Sequence, residues 1–113
     1  MAFLLSATIL ASEKPITKID VWPYASLRPT NIHFRILVPR NPDNRLLRVQ
    51  IDNEEYFRAS DFQIDGDIGR AVFEDMWRDV PCGAYVLTAT LVRQTEKPYT
   101  AKSNLIQFCQ MAQ

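Results

Sequence analysis

The 113-residue sequence predicts an all-β fold, a two-sheet antiparallel sandwich, on three observations. Its apolar runs are short, alternate with polar residues and are rich in Val, Ile, Phe and Tyr, the residues that suit a pleated, half-buried surface. Seven prolines against three glycines mark many element boundaries. A turn signal, Pro81-Cys82-Gly83, runs directly into the long alternating segment Tyr85-Val86-Leu87-Thr88-Ala89-Thr90-Leu91. The length suits one two-layer core and is too short for two. Residues 1–15 are expected to form an N-terminal apolar arm or extra strand, and residues 16–113 the sandwich domain.

The arm supports two readings. Its apolar run and small-residue exit at Ala11-Ser12 resemble a secretory signal, but the basic n-region is missing. As a strand it sets Phe3, Leu5, Ala7, Ile9 and Ala11 on one face. It is too short to span a bilayer, which takes about 20 apolar residues. Within the domain, residues 16–22 turn Ile19 and Val21 inward before Pro23 ends or bends the strand. Residues 31–38 carry the clearest period-2 pattern of the first half, with Ile32, Phe34, Ile36 and Val38 on one face and His33, Arg35 and Leu37 on the other. The proline-bracketed loop 39–44 leads to a third strand with Leu47, Val49 and Ile51 inward.

After the turn at residues 52–55, residues 56–60 read as a short edge strand that Arg58 keeps from pairing with another molecule. Asp65-Gly66 is a hairpin turn. Residues 69–80 mix two periods: Val72, Met76 and Val80 recur at helical spacing, and Phe73, Asp75 and Trp77 at strand spacing. A strand over 70–74, followed by a loop or single helical turn carrying Trp77 beneath the sandwich, is the expectation. Tyr85, Leu87, Ala89 and Leu91 then point inward, and after a loop at 94–98 the last strand spans 99–108.

Thirteen basic and thirteen acidic residues cancel, so no global field draws the chain to nucleic acid or an anionic membrane. Protein partners in an assembly or homo-oligomer are expected, with no nucleic acid and no membrane span.

The stretch from Trp77 to Leu91 resembles the end of strand E, the corner and strand F of immunoglobulin-like (Ig-like) and fibronectin-type-III-like domains. Pro81-x-Gly83-x-Tyr85 matches their tyrosine corner. The resemblance implies an Ig-like sandwich of about seven strands in which the Tyr85 hydroxyl bonds to backbone a few residues upstream. It also departs from antibody domains, since the second strand lacks cysteine and the third lacks tryptophan.

Little of the sequence points to chemistry, and no catalytic residue, metal site or cofactor is expected. His33 is the only histidine and reads as a surface residue. Asp61, Asp65 and Asp67, with Glu74 and Asp75 nearby, lack the spacing of an EF-hand, and turn formation accounts for Asp65-Gly66-Asp67. Scattered glycines make no phosphate loop. Arg35, Arg40, Arg45, Arg48 and Arg58 lack the interleaved exposed aromatics of a nucleic-acid surface.

Cys82 and Cys109 fall at the same end of the predicted final hairpin, whose midpoint lies in the 94–98 loop. Two states stay open. If Leu87 and Leu105 pack together, residue parity disfavours a facing cysteine pair and two thiols result; a bulge at Gly83 restores the facing pair and a disulfide. Partner contacts are expected from Phe3, Leu5 and Ile9 of the arm and from Trp22, Tyr24, Tyr56 and Tyr99, because aromatic anchors dominate interfaces.

The leading functional expectation is therefore a non-enzymatic structural or interaction module in a larger assembly. By analogy of fold it is a virion component, an accessory or decoration protein of bacteriophage particles, with a virion or extracellular surface location. The alternative is a secreted or periplasmic adhesion or carbohydrate-binding module whose N-terminus is a cleaved signal.

Overall fold

The computed structural model describes residues 14–23 and 30–108. They form β1 (Lys18–Pro23), β2 (Thr30–Leu37), β3 (Asn44–Asp52), β4 (Phe57–Gln63), β5 (Val72–Val80), β6 (Gly83–Arg93), β7 (Tyr99–Lys102) and β8 (Ile106–Phe108). Two antiparallel sheets result, one ordered β1-β2-β5 and the other β4-β3-β6-β7, with β8 also pairing to β6. The chain is the all-β, two-sheet antiparallel sandwich that its alternation predicts, with eight strands among the described residues.

Period-2 alternation explains the interior. Phe34 and Ile36 of β2, Leu47, Val49 and Ile51 of β3, and Leu87, Ala89 and Leu91 of β6 are fully buried between the layers. Burying each of the larger aliphatic side chains contributes about 1.5–3 kcal/mol. These strands sit inside their sheets, so each is hydrogen-bonded on both edges and covered on its inner face.

The sandwich has two lateral sides, and they differ. On one, β4 lies over β5. Phe62 packs against Phe34 and Phe73 with ring centroids 6.2 and 5.6 Å apart. Trp77 Nε1–H donates to Ser60 Oγ at 2.9 Å, satisfying the indole of a buried tryptophan through the other sheet. Arg70 caps the side, its guanidinium carbon 5.4 Å from the Phe62 centroid and 4.9 Å from that of Phe73. The other side, between β1 and β7–β8, has no such cover.

Three local expectations are corrected. The strand expected over 70–74 runs unbroken as Val72–Val80, with no helical turn. Trp77 reaches the core from within β5, where its ring stacks obliquely on Phe34 at 4.6 Å. The mixed period arises from a bulge: Thr30 pairs with Val80 and Ile32 with Trp77, leaving β5 one residue longer than β2 between those pairs. Asp79 absorbs it at φ 55° and donates its N–H to Asn31 Oδ1 at 3.1 Å. Trp77 and Val80, three apart, thereby both point inward.

The expected edge strand is longer than 56–60 and runs Phe57–Gln63. The expected last strand is divided. Thr88 pairs with Lys102 but Tyr85 with Ile106, so the return strand carries one extra residue between β7 and β8. Ser103 fills the break, its Oγ accepting from Leu87 N–H at 3.1 Å and its N–H donating to Leu87 O at 2.9 Å. The shift turns Leu105 out, 59% exposed, and buries Ile106 instead.

Candidate functional site

At the corner before β6, the Tyr85 hydroxyl donates to Pro81 O at 2.8 Å. Its ring is buried and meets Tyr56 edge-on at 6.0 Å. Burial pushes its pKa above the ordinary tyrosine value, and Tyr56 adds to that. Cys82, beside this corner, is disulfide-bonded. Cys109 lies outside the described residues, as do Phe3, Leu5, Ile9 and Tyr24.

Three of the expected contact aromatics are placed. Tyr56 and Tyr99 are half-buried and pack on the core. Trp22 is 41% exposed on β1, where its indole stacks on the His33 ring at 5.5 Å and 8°. Cross-strand pairing extends that row to Met76 on β5, and the next row joins Asp20, Arg35 and Glu74. Arg35 Nε donates to Glu74 Oε1 at 3.4 Å, a surface pair that contributes little to stability. Among the described residues, this outer face of the β1-β2-β5 sheet is a mixed surface on which Trp22 is the exposed aromatic.

The larger feature is a cleft of about 660 Å³ along the open lateral side. Its walls are the edge strand β1 and the return strands β7 and β8. Ile19 and Val21 line it from one sheet and Tyr99 and Ala101 from the other, all four partly buried against the core. Ile16 and Ile106 lie deeper. Among the described residues neither β1 nor β7 has a second strand partner, so each presents a row of backbone donors and acceptors at the cleft.

The sandwich's other edges are guarded. On β4, Arg58 shares the strand face of Ser60 and Phe62, and on β5, Asp75 shares that of Phe73 and Trp77. A charge on the core-facing side of an edge strand discourages edge-to-edge pairing. At the equivalent positions β1 and β7 carry Ile19, Val21, Tyr99 and Ala101. Sequence reading missed this contrast, although comparing the inward positions of the edge strands could have exposed it. Ile19 and Val21 read there simply as core.

Near the opposite end of β6, Asp43 clasps the 94–96 loop, accepting from Thr95 N–H at 3.0 Å, Thr95 Oγ1 at 2.9 Å and Glu96 N–H at 3.2 Å. Desolvation pushes the carboxyl upward, but the bonds from Thr95 and Glu96 and the charge of Arg93 together hold it below its ordinary value. Its bonds are all accounted for within the loops. Among the described residues, no group of three or more His, Cys, Asp or Glu is placed to hold a metal ion, and no helix is long and apolar enough to cross a membrane.

No protein-family model, curated protein or solved structure matches the chain.

Proposed function

We propose that this chain is a non-enzymatic interaction module of the Ig-like type that joins a larger protein assembly through its open lateral side. One observation carries the reading: the cleft between β1 and β7–β8 has the uncharged inward positions Ile19, Val21, Tyr99 and Ala101 between polar and charged rims that include Lys18, Asp20 and Lys102, and among the described residues its two flanking strands lack a second strand partner, while the opposite side is packed shut. An exposed edge whose inward positions carry no charge is a template for strand addition, which supplies main-chain hydrogen bonds for affinity and inward pockets for specificity.

Two further features support the Ig-like assignment. The first, second and fifth strands share one sheet and the third, sixth and seventh the other, as in Ig-like sandwiches, with the fourth strand beside β3 on the second sheet in place of the first. The Tyr85–Pro81 bond is the contact a tyrosine corner makes. The Cys82 disulfide fits an oxidising setting such as a particle or cell surface. Within that setting, an accessory or decoration role on a bacteriophage particle is the assembly we favour. The test is the size of the native species: sedimentation from the source should place the chain in a complex well above its 13.0 kDa mass. A lone monomer there contradicts the reading.

The Trp22–His33 stack favours one second reading, a secreted or periplasmic adhesion or carbohydrate-binding module. A flat, exposed indole is a platform for a sugar ring, and the disulfide suits that location equally. Trp77 is buried, so a glycan that quenches the solvent-accessible tryptophan emission would report on Trp22. An unchanged spectrum across a glycan panel removes this reading.

A further inference from the structure

We propose that the cleft between β1 and β7–β8 is a strand acceptor, and that its occupant is the N-terminal segment, residues 2–12, of a neighbouring copy of this chain. The inference rests on the assembly reading above and names its partner.

Sequence and groove match in four respects. Residues 2–12, Ala-Phe-Leu-Leu-Ser-Ala-Thr-Ile-Leu-Ala-Ser, contain no charge, and neither do the inward positions of β1 and β7 at the floor of the groove, the charges of its lining (Lys14, Lys18, Asp20 and Lys102) belonging to other positions. They contain no proline, so every N–H is available to a ladder. As a strand they set Phe3, Leu5, Ala7, Ile9 and Ala11 on one face, fit to meet Ile19, Val21, Tyr99 and Ala101. Extended at about 3.3 Å per residue they span roughly 36 Å, comparable to the return edge over residues 99–108.

Chain geometry at the domain boundary selects the neighbour's segment over the chain's own. Thr17 N–H donates to Leu37 O at 3.0 Å and Ile16 is buried, so the chain is fixed on the line of β1 by residue 16. To lie beside its own β1 it would have to reverse immediately upstream. Tight reversals draw on Gly, Asn or Asp, and residues 1–15 contain none. Pro15 also biases Lys14 toward extended backbone. A segment leaving in extended form reaches a second molecule more readily than it doubles back. Arm-into-cleft contacts between copies build a closed ring, a filament or a reciprocally exchanged dimer, according to the rotation between them.

The test uses full-length chains in sedimentation velocity. Leu5→Lys/Ile9→Lys charges the donor face and Ala101→Arg blocks the acceptor; Val21→Arg is the second acceptor block if Ala101→Arg loses the β circular-dichroism spectrum. The unaltered chain is expected to assemble, and each variant alone to sediment as monomer. An equimolar mixture of donor-blocked and acceptor-blocked chains is expected to form a 1:1 heterodimer, since one contributes an intact arm and the other an intact cleft. A folded mixture that stays monomeric overturns the proposal, as does a donor-blocked chain that assembles like the unaltered one. In the latter case the assembly reading survives and only its mechanism falls. An unaltered chain that is monomeric both in vitro and in its native source overturns both.

Discussion

Tyr85 reaches back to Pro81: its hydroxyl donates to the proline carbonyl at 2.8 Å and staples the first residues of β6 to the peptide that leaves β5. Pro81 lies in the connection between the sheets, since β5 belongs to one and β6 to the other. The bond thereby fixes where the chain changes layer. Tyr85→Phe keeps the buried ring and removes the bond to Pro81 together with the hydroxyl's hydrogen bond with Asn53, and should cost at least about 0.5–1.5 kcal/mol, the net worth of one hydrogen bond. Chemical denaturation measures it; an unchanged midpoint would mean that the corner contributes no stability.

Gly66 occupies the turn after β4 at φ +60°. A Cβ there would stand 3.2 Å from the Pro42 carbonyl oxygen, a backbone atom with little room to yield. Gly66→Ala should destabilise the fold by about 1–2 kcal/mol from the left-handed backbone alone. Thermal unfolding of the two chains side by side gives the value.

The described pairing of β6 with β8 ends at Gly83 and Phe108, one residue short of Cys82 on one strand. The one-residue offset that parity demands lies in the return strand at Ser103, away from Gly83. Cys82 is disulfide-bonded and Cys109 is the one other cysteine of the sequence, so a bridge between the two is the expected outcome. Mass spectrometry after alkylation should show no modified cysteine without reductant and two with it. Two alkylated cysteines without reductant would refute the assignment.

Two titrations bound the stability profile. Asp43 has a lowered pKa in the fold, so the folded state binds its proton less tightly than the unfolded state does. Its contribution is present above the ordinary carboxylate range and is lost as pH falls through and below it. Asp43→Asn should flatten the acid limb of a melting-temperature profile. Tyr85 has a raised pKa, so its contribution is full below the ordinary tyrosine value and is lost as pH rises past it. Tyr85→Phe should correspondingly flatten the alkaline limb.

Much of this fold was legible because its inner strands obey a single period. Phe34, Val49 and Leu87 could be placed in the core from alternation alone, and all three are fully buried. Trp77 could not be assigned to its strand, because the bulge at Asp79 changes the phase of β5 within one element. Leu105 and Ile106 exchanged roles for the same reason, an added residue in the return strand that leaves no mark on composition. The cleft was illegible for a different reason. It joins Ile19 and Val21 to Tyr99 and Ala101 across some eighty positions of sequence, and each short run alone reads as a half-buried strand. Only the stacking of the sheets shows that nothing among the described residues covers them.

Amide hydrogen exchange along β1 and β7 tests most directly whether that open side is a pairing edge. The amides of β1 and β7 that point away from β2 and β6 should be protected at concentrations where the chain assembles and should exchange rapidly on dilution, while the interior strands β3 and β6 stay protected throughout. Equally fast exchange of those edge amides at both concentrations would contradict the account.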